Sequence, residues 1–91
     1  MADETRPWRI LIDEVVHKEL KRLTPKDQAR IRAAIDALSD GLGTGDIKKL
    51  RGRENEWRLR VGSWRVIFSP DFAARLIFIL HVHPRGRAYR D

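Results

Sequence analysis

The sequence predicts an α+β fold in which two helices pack on one face of a small, largely antiparallel sheet, in the order β-α-α-β-β-β. Apolar residues recur at helical spacing in the first half of the chain and at every second position from Trp57 onward. The chain of 91 residues is long enough for one hydrophobic core and too short for two. We therefore expect one domain that spans residues 1–91 and consists of two packed layers.

The first half is expected to contain one strand and two helices. Residues 8–12 are an apolar run rich in β-formers, which predicts the first strand. A helical stripe follows over residues 15–23, with Asp13 or Glu14 available as its cap. Thr24 is suited to the N-cap of a second helix that starts at Pro25, where the missing N–H would be unpaired in any case. The two helices are expected to form an antiparallel pair joined by a tight turn.

Residues 40–47 are expected to be an irregular connector. Glycines at positions 41, 43 and 45 place three such residues within five, which disfavours regular structure. Their spacing fits neither a GxGxxG loop after a strand nor a GxxxxGK[ST] loop, so we expect no nucleotide site there.

The alternating segment predicts a β-hairpin with a defined register. Gly62 and Ser63 form a two-residue loop with glycine first, which is typical of a type II′ turn. This loop pairs position 61 with 64, 60 with 65, 59 with 66 and 58 with 67. One face then carries only apolar side chains and is assigned to the core: Trp57, Leu59, Val61, Trp64, Val66 and Phe68.

The other face of the hairpin carries Arg58, Arg60 and Arg65. Like charges opposite one another destabilise a sheet, and no acidic residue on either strand neutralises these three. They are either the solvated face of an amphipathic hairpin or a surface that binds phosphates. Three arginines converging without an acid favour anion binding.

Residues 69–71 are expected to break the second hairpin strand, and residues 75–82 to form a third strand that is apolar on both faces and central in the sheet. We expect Leu76, Phe78, Leu80 and Val82 to point to the core. His81 and His83 would then lie on the arginine side, beside Ile77 and Ile79.

Histidines at positions i and i+2 of a strand can hold a metal, but no third ligand is evident in the sequence, so no metal site is expected. A role for His81 and His83 in proton transfer or phosphate contact is an alternative to ordinary packing. His17, on the first helix, is expected at the surface. Residues 83–91 are expected to be irregular, and Tyr89 is placed either to stack on an RNA base or to fold over the end of the sheet.

Basic residues are concentrated in the second half of the chain. Residues 1–47 hold eight Lys or Arg and nine Asp or Glu, whereas residues 48–91 hold eleven and four. This excess indicates a polyanionic partner, most simply RNA. The absence of cysteine excludes disulfides and thiolate metal sites. With no apolar run of membrane-spanning length and no signal pattern, we expect a cytoplasmic protein with no membrane partner.

Three segments occur in a fixed order: the sequence KLRG at positions 49–52, WRLRVGSWRVIF at 57–68, and, after a hydrophobic strand, PRGRAY at 84–89. In this order they resemble the RelE/ParE toxin superfamily, and the last segment is similar to archaeal RelE toxins in particular. The size of the chain and the expected order of elements agree with a RelE-like fold.

This resemblance implies the toxin of a type II toxin–antitoxin system. Such a toxin is a ribosome-dependent endoribonuclease that cleaves mRNA without a metal or small-molecule cofactor, and a RelB-type antitoxin neutralises it. In the implied reaction the 2′-hydroxyl attacks the adjacent phosphate and leaves a cyclic phosphate. This chemistry requires a base, cations around the phosphorane and a proton donor for the leaving 5′-oxygen.

The resemblance also implies roles for individual residues. Arg65 falls on the family's phosphate-contacting arginine, Arg85 on its C-terminal arginine and Tyr89 on its tail tyrosine. Arg58 and Arg60 fall where the family carries basic residues, often lysines. The remaining expected RNA contacts are Lys49, Arg51 and Arg87.

One departure from the family concerns the base. Arginine effectively never deprotonates, so Arg58 and Arg60 cannot replace catalytic lysines as proton acceptors. The base would then be His81, His83, Tyr89 or a ribosomal group. Two alternatives remain open. A ParE-like inhibitor of DNA gyrase would share the fold, and the missing lysines favour a catalytically weak module that binds RNA or an antitoxin.

Overall fold

The computed structural model describes residues 7–43 and 45–84, which form two helices and five strands. The predicted α+β class, with two helices on one face of a mostly antiparallel sheet, is confirmed. In chain order the elements are β1 (Arg9–Ile12), α1 (Glu14–Lys21), α2 (Pro25–Ala37), a 3₁₀ turn (Leu38–Asp40), β2 (Asp46–Lys49), β3 (Trp57–Val61), β4 (Trp64–Asp71) and β5 (Leu76–Pro84).

Both helices begin at side-chain caps. The Oδ1 of Asp13 accepts a hydrogen bond from the Val15 N–H at 2.9 Å, and the Oγ1 of Thr24 accepts one from the Asp27 N–H at 3.2 Å. Each bond satisfies a backbone donor that has no partner within the first turn of its helix. The predicted cap of α2 is confirmed, with Pro25 at the start of the helix.

The sheet has the strand order β1-β5-β4-β3-β2, in which β1 and β5 are parallel and the other pairs are antiparallel. The hairpin register is confirmed at every predicted pair from 58 with 67 to 61 with 64. Gly62 has a φ of 56°, and within the two-residue turn only this residue has a positive φ, as a type II′ turn requires. The third strand was predicted to be central: β5 is an interior strand, paired with β1 on one side and β4 on the other, whereas the middle strand of the five is β4.

Three strand boundaries differ from the sequence prediction. The expected connector contains β2, because Asp46 and Ile47 already pair with β3. The prediction that Pro70 lies in a strand break is wrong, since β4 continues to Asp71 opposite β5. This proline is tolerated because β3 pairs with β4 only as far as Phe68, so beyond that point β4 has an open side where no N–H is required. Similarly, β5 extends through His83 to Pro84.

A β-bulge overturns the facing predicted for the first part of β5. Ile67 pairs with His81, whereas Phe68 pairs with Ile79, so Leu80 is an additional residue in β5. The bulge reverses the alternation: Ile77 and Ile79 are fully buried in the core, and Phe78 is 38% exposed. The prediction that Leu76, Phe78 and Leu80 face the core is therefore wrong. After the bulge Val82 faces the core as predicted.

The core lies between the helices and one face of the sheet. The helices contribute residues at helical spacing, and the strands contribute residues at every second position around the bulge. The buried set includes Val16, Leu20, Ile31, Ile35, Leu59, Val66, Phe68, Ile77, Ile79 and Val82. Neither helix in the described part of the chain is long and apolar enough to cross a membrane.

Candidate RNA-binding face

Two rows of paired residues cross the face of the sheet that lies opposite the helices. The first row runs from β2 to β5 through Asp46, Arg60, Arg65 and His83. The second row, two positions away along each strand, runs through Lys48, Arg58, Ile67 and His81. Because paired residues on neighbouring strands point to the same side, these eight side chains share one surface, which we call the arginine face.

The guanidinium groups of the arginine face are not simply solvated. Arg58 and Arg65 are each only 5% exposed, and the side chain of Arg60 is 31% exposed. Burying an arginine is costly unless its charge is compensated by hydrogen bonds or an anion. The interpretation of these arginines as the solvated side of an amphipathic hairpin therefore does not fit.

An acidic residue from β2 neutralises part of this charge. The Nη1 of Arg58 donates to the Oδ1 and to the backbone carbonyl of Asp46, each at 2.9 Å. The Oδ2 of Asp46 lies 3.6 Å from the Nη1 of Arg60. As expected, the acid does not come from the two hairpin strands, but the prediction that the three arginines converge without an acid is wrong, because Asp46 lies on the neighbouring strand β2. One carboxylate still faces three arginines and Lys48, so the described part of this face is positive.

The two histidines lie next to the arginines, as predicted. His83 pairs with Arg65, and the rings of His81 and His83 are stacked with their centroids 5.0 Å apart. The Nδ1 of His81 lies 3.5 Å from the Oε2 of Glu19, a residue of α1. The other carboxylate oxygen of Glu19 accepts a hydrogen bond from the Val82 N–H at 2.8 Å. His17 is exposed on α1, as expected.

The structure brings together Arg58, Arg60, Arg65, His81 and His83 on one face. Of the other candidates, Lys49 pairs with Trp57 and therefore points to the opposite side of the sheet, and Arg51 is exposed in the turn after β2. The three tail candidates lie outside the described residues: Arg85, Arg87 and Tyr89.

Lys48 is a member of the arginine face that the sequence did not reveal. It pairs with Arg58, and its side chain is exposed. The signal that would have identified it is the alternation of β2, which spans only four residues and follows a glycine-rich segment. The face therefore combines guanidinium groups suited to phosphate oxygens, two imidazoles and one amine.

Comparisons with known proteins place this arrangement in a family. Residues 8–89 match the family model described as the ParE toxin of type II toxin–antitoxin system, parDE. A chain of the archaeal RelE–RelB complex from Pyrococcus horikoshii OT3 is 32% identical with a TM-score of 0.76, and the match covers 90% of this chain and 99% of that chain. A chain of the RelB–RelE antitoxin–toxin complex from Methanococcus jannaschii is 26% identical with a TM-score of 0.70, covering 82% and 89%.

A curated protein of Methanocaldococcus jannaschii that carries the RelE name is 29% identical over an alignment of 87 residues, and the match covers 92% of this chain and 97% of that protein. The chain therefore belongs to the RelE/ParE superfamily and is a toxin of RelE type from a type II toxin–antitoxin system. The resemblance found in the sequence is confirmed.

Proposed function

We infer that this toxin is a ribosome-dependent endoribonuclease that cleaves mRNA and thereby inhibits translation. The observation that carries the proposal is the row formed by Arg60, Arg65 and His83 across three strands. This row combines two guanidinium groups with an imidazole on one rigid sheet. Such a sheet holds functional groups more firmly than loops do.

The proposed reaction is attack of the 2′-hydroxyl on the adjacent phosphate, which breaks the bond to the 5′-oxygen and leaves a 2′,3′-cyclic phosphate. The dianionic phosphorane is stabilised by donors that are already in position before the reaction. We assign this role to Arg65, with Arg58 and Arg60 contributing positive charge. Arg85 and Tyr89 are proposed to complete the site from the C-terminal tail.

Proton transfer is assigned to the remaining groups of the face. Arginine cannot accept the proton of the 2′-hydroxyl, whereas an imidazole or an amine can. Lys48, His81 and His83 therefore join Tyr89 as candidates for the base and the acid. Single-turnover pH–rate profiles of Lys48→Ala, His81→Ala and His83→Ala identify the base, because its loss removes the pH-dependent limb and lowers the rate by about 10²–10⁴-fold.

The test of the function is cleavage of mRNA on programmed ribosomes by the purified full-length toxin. We expect Arg65→Ala to reduce the single-turnover rate by about 10²–10³-fold, the usual effect of removing one donor to the transition state. Because Arg65 is buried, its replacement by alanine also disturbs packing, so the Arg65→Lys variant is measured alongside Arg65→Ala. The lysine keeps the positive charge and loses the bidentate geometry of the guanidinium group. Arg32→Ala, an exposed position on α2, is the matched control and should cleave at the wild-type rate.

Failure of wild-type toxin to cleave ribosome-bound mRNA would overturn the proposal, as would full activity of both Arg65 variants. The ParE description of the matching family model favours one alternative in particular, inhibition of DNA gyrase. Intact mRNA together with trapped gyrase–DNA complexes would support that alternative. Intact mRNA with unaffected gyrase would leave the catalytically weak RNA- or antitoxin-binding module.

A RelB-type antitoxin is the proposed protein partner, and the cytoplasm the proposed location. The support is that the structural relatives come from RelE–RelB complexes and that a basic toxin needs a covering partner of opposite charge. We expect an acidic antitoxin that lays an amphipathic helix on the toxin. Its affinity should fall as salt is raised. A dissociation constant that stays unchanged up to molar salt would contradict this electrostatic contribution.

A further inference from the structure

We propose that Glu19, His81 and His83 form a site for a divalent transition-metal ion, with Zn²⁺ as the best fit. The sequence indicated His81 and His83 as possible ligands, and the fold places Glu19 of α1 next to them. The proposed ion is structural. An imidazole nitrogen bound to the ion cannot accept a proton, so in the metal-bound toxin the candidates for the base of the proposed cleavage are Lys48 and Tyr89. Binding of the ion does not itself depend on that function.

The distances suit a small tetrahedral ion. One ligand atom from each of the three side chains lies within 4.8 Å of the other two, and the His81 Nδ1 is 3.5 Å from the Glu19 Oε2. Zinc bonds of about 2.0–2.1 Å in tetrahedral geometry place neighbouring ligand atoms about 3.3–3.4 Å apart. The histidine–glutamate pair therefore already has the required separation, and small side-chain rotations bring in His83.

The site is held together by features of the fold. The bulge at Leu80 precedes the two histidines, and their i, i+2 spacing along β5 then puts both on one side of the strand. Strand β1 pairs with β5 only as far as Ile79, so the edge of β5 beyond it is open to α1. Glu19 occupies this edge.

The carboxylate of Glu19 is already oriented for a ligand. Its Oε1 accepts the hydrogen bond from the Val82 N–H at 2.8 Å, while its Oε2 is directed at His81. Hydrogen bonds of this kind from surrounding groups fix metal ligands in position and strengthen binding. Without this bond the Val82 N–H would be an unpaired donor at a strand edge. The Glu19 side chain therefore both pairs this N–H and presents an oxygen to the proposed ion.

A simple ion pair explains less of this arrangement. Beside the Glu19–His81 contact, the ring of His83 stacks on that of His81 with the centroids 5.0 Å apart, so a second imidazole lies next to the same carboxylate. Two imidazoles and a carboxylate match the ligand preferences of zinc.

An ion can reach this site from solvent. Glu19 and His83 line an open cleft of about 560 Å³, together with Arg22, Leu23, Trp64 and Pro84. All three proposed ligands are half-buried. The cleft therefore provides an entry path and room for a water molecule as the fourth ligand.

The site is tested by titrating the full-length toxin, free of any polyhistidine tag, with CoCl₂ and then ZnCl₂. We expect one Co²⁺ per chain with the visible absorption of tetrahedral cobalt, and its displacement by Zn²⁺. An ion bound only by the folded chain raises the melting temperature, on the order of 10 °C at a hundredfold excess over Kd.

His81→Ala, His83→Ala and Glu19→Gln should each weaken Co²⁺ binding at least about tenfold. His17→Ala is the matched control, since it removes the remaining histidine of the chain from an exposed position on α1, and it should bind as the wild type does. Glu19→Gln keeps an oxygen that can accept from the Val82 N–H, and melting of each metal-free variant verifies its fold. Absence of saturable Co²⁺ binding by the wild type, or equal binding by the folded His81→Ala and His83→Ala variants, would overturn the proposal.

Discussion

Replacement of Asp46 by alanine should destabilise the toxin while strengthening its attraction for polyanions. Asp46 provides the carboxylate of the arginine face and contacts Arg58 at 2.9 Å and Arg60 at 3.6 Å. In the Asp46→Ala variant the buried guanidinium of Arg58 keeps its hydrogen bond to the backbone carbonyl of residue 46 and loses the one to the carboxylate.

The size of the loss follows from the exposure of the two partners. A hydrogen bond to a charged group contributes about 1.5–3 kcal/mol, and leaving a buried charge uncompensated costs toward the upper end. The side chain of Asp46 is 54% exposed, so solvent screening lowers this value toward that of a surface pair. We expect the free energy of unfolding to fall by about 1.5 kcal/mol. The melting temperature should then fall by about 6–12 °C.

The same substitution removes a negative charge beside the proposed phosphate site. One unit charge about 4 Å away in water contributes about 1 kcal/mol, so affinity for a short RNA should rise about fivefold at low salt. Stability is measured by urea unfolding and affinity by fluorescence anisotropy with a labelled oligonucleotide. Asp36→Ala, at an exposed position in the last turn of α2, is the matched control: it changes the net charge equally and should be neutral or slightly stabilising.

The expected result is that Asp46→Ala lowers the free energy of unfolding and raises the affinity for RNA, whereas Asp36→Ala does neither to the same extent. If Asp46→Ala were as stable as Asp36→Ala, the ion pair with Arg58 would not be supporting the fold. If the two variants gained the same affinity for RNA, the effect would come from net charge, and the arginine face would not be the binding surface.

Three further predictions concern the fold that supports the face. Phe68→Ala, at a fully buried position, should lower the free energy of unfolding by about 3–5 kcal/mol in urea titrations. Thr24→Ala should cost about 1 kcal/mol by losing the cap of α2, and Thr24→Ser should retain most of the stability. Gly62→Ala should cost about 1 kcal/mol or more, because φ is 56° and the new Cβ would lie 2.8 Å from the Nη2 of Arg30. In an Arg30→Ala background, where the contact with Arg30 is absent, most of the loss in stability should persist because the backbone strain remains. Recovery of the full wild-type stability in that background would contradict the role of backbone strain.

The hairpin was determined by the sequence alone. Alternation at every second position and a glycine-first turn are local signals, and together they placed Arg58, Arg60 and Arg65 on one side with the correct pairing. The start of α2 is a local signal of the same kind, because the Thr24 cap bonds to a backbone N–H three residues away and Pro25 follows it at the first position of the helix. The segments that resemble RelE toxins lie in the same strongly patterned half of the chain.

Tertiary structure decided the features that depend on neighbouring strands and distant residues. Four residues after a glycine-rich segment form β2 because the edge of β3 offers hydrogen bonds, and this strand brings Asp46 and Lys48 to the arginine face. The bulge at Leu80 depends on how β5 meets β4, and it alone determines which isoleucines enter the core. The approach of Glu19 to His81 joins residues 62 positions apart, a separation over which no local pattern in the sequence can specify a contact.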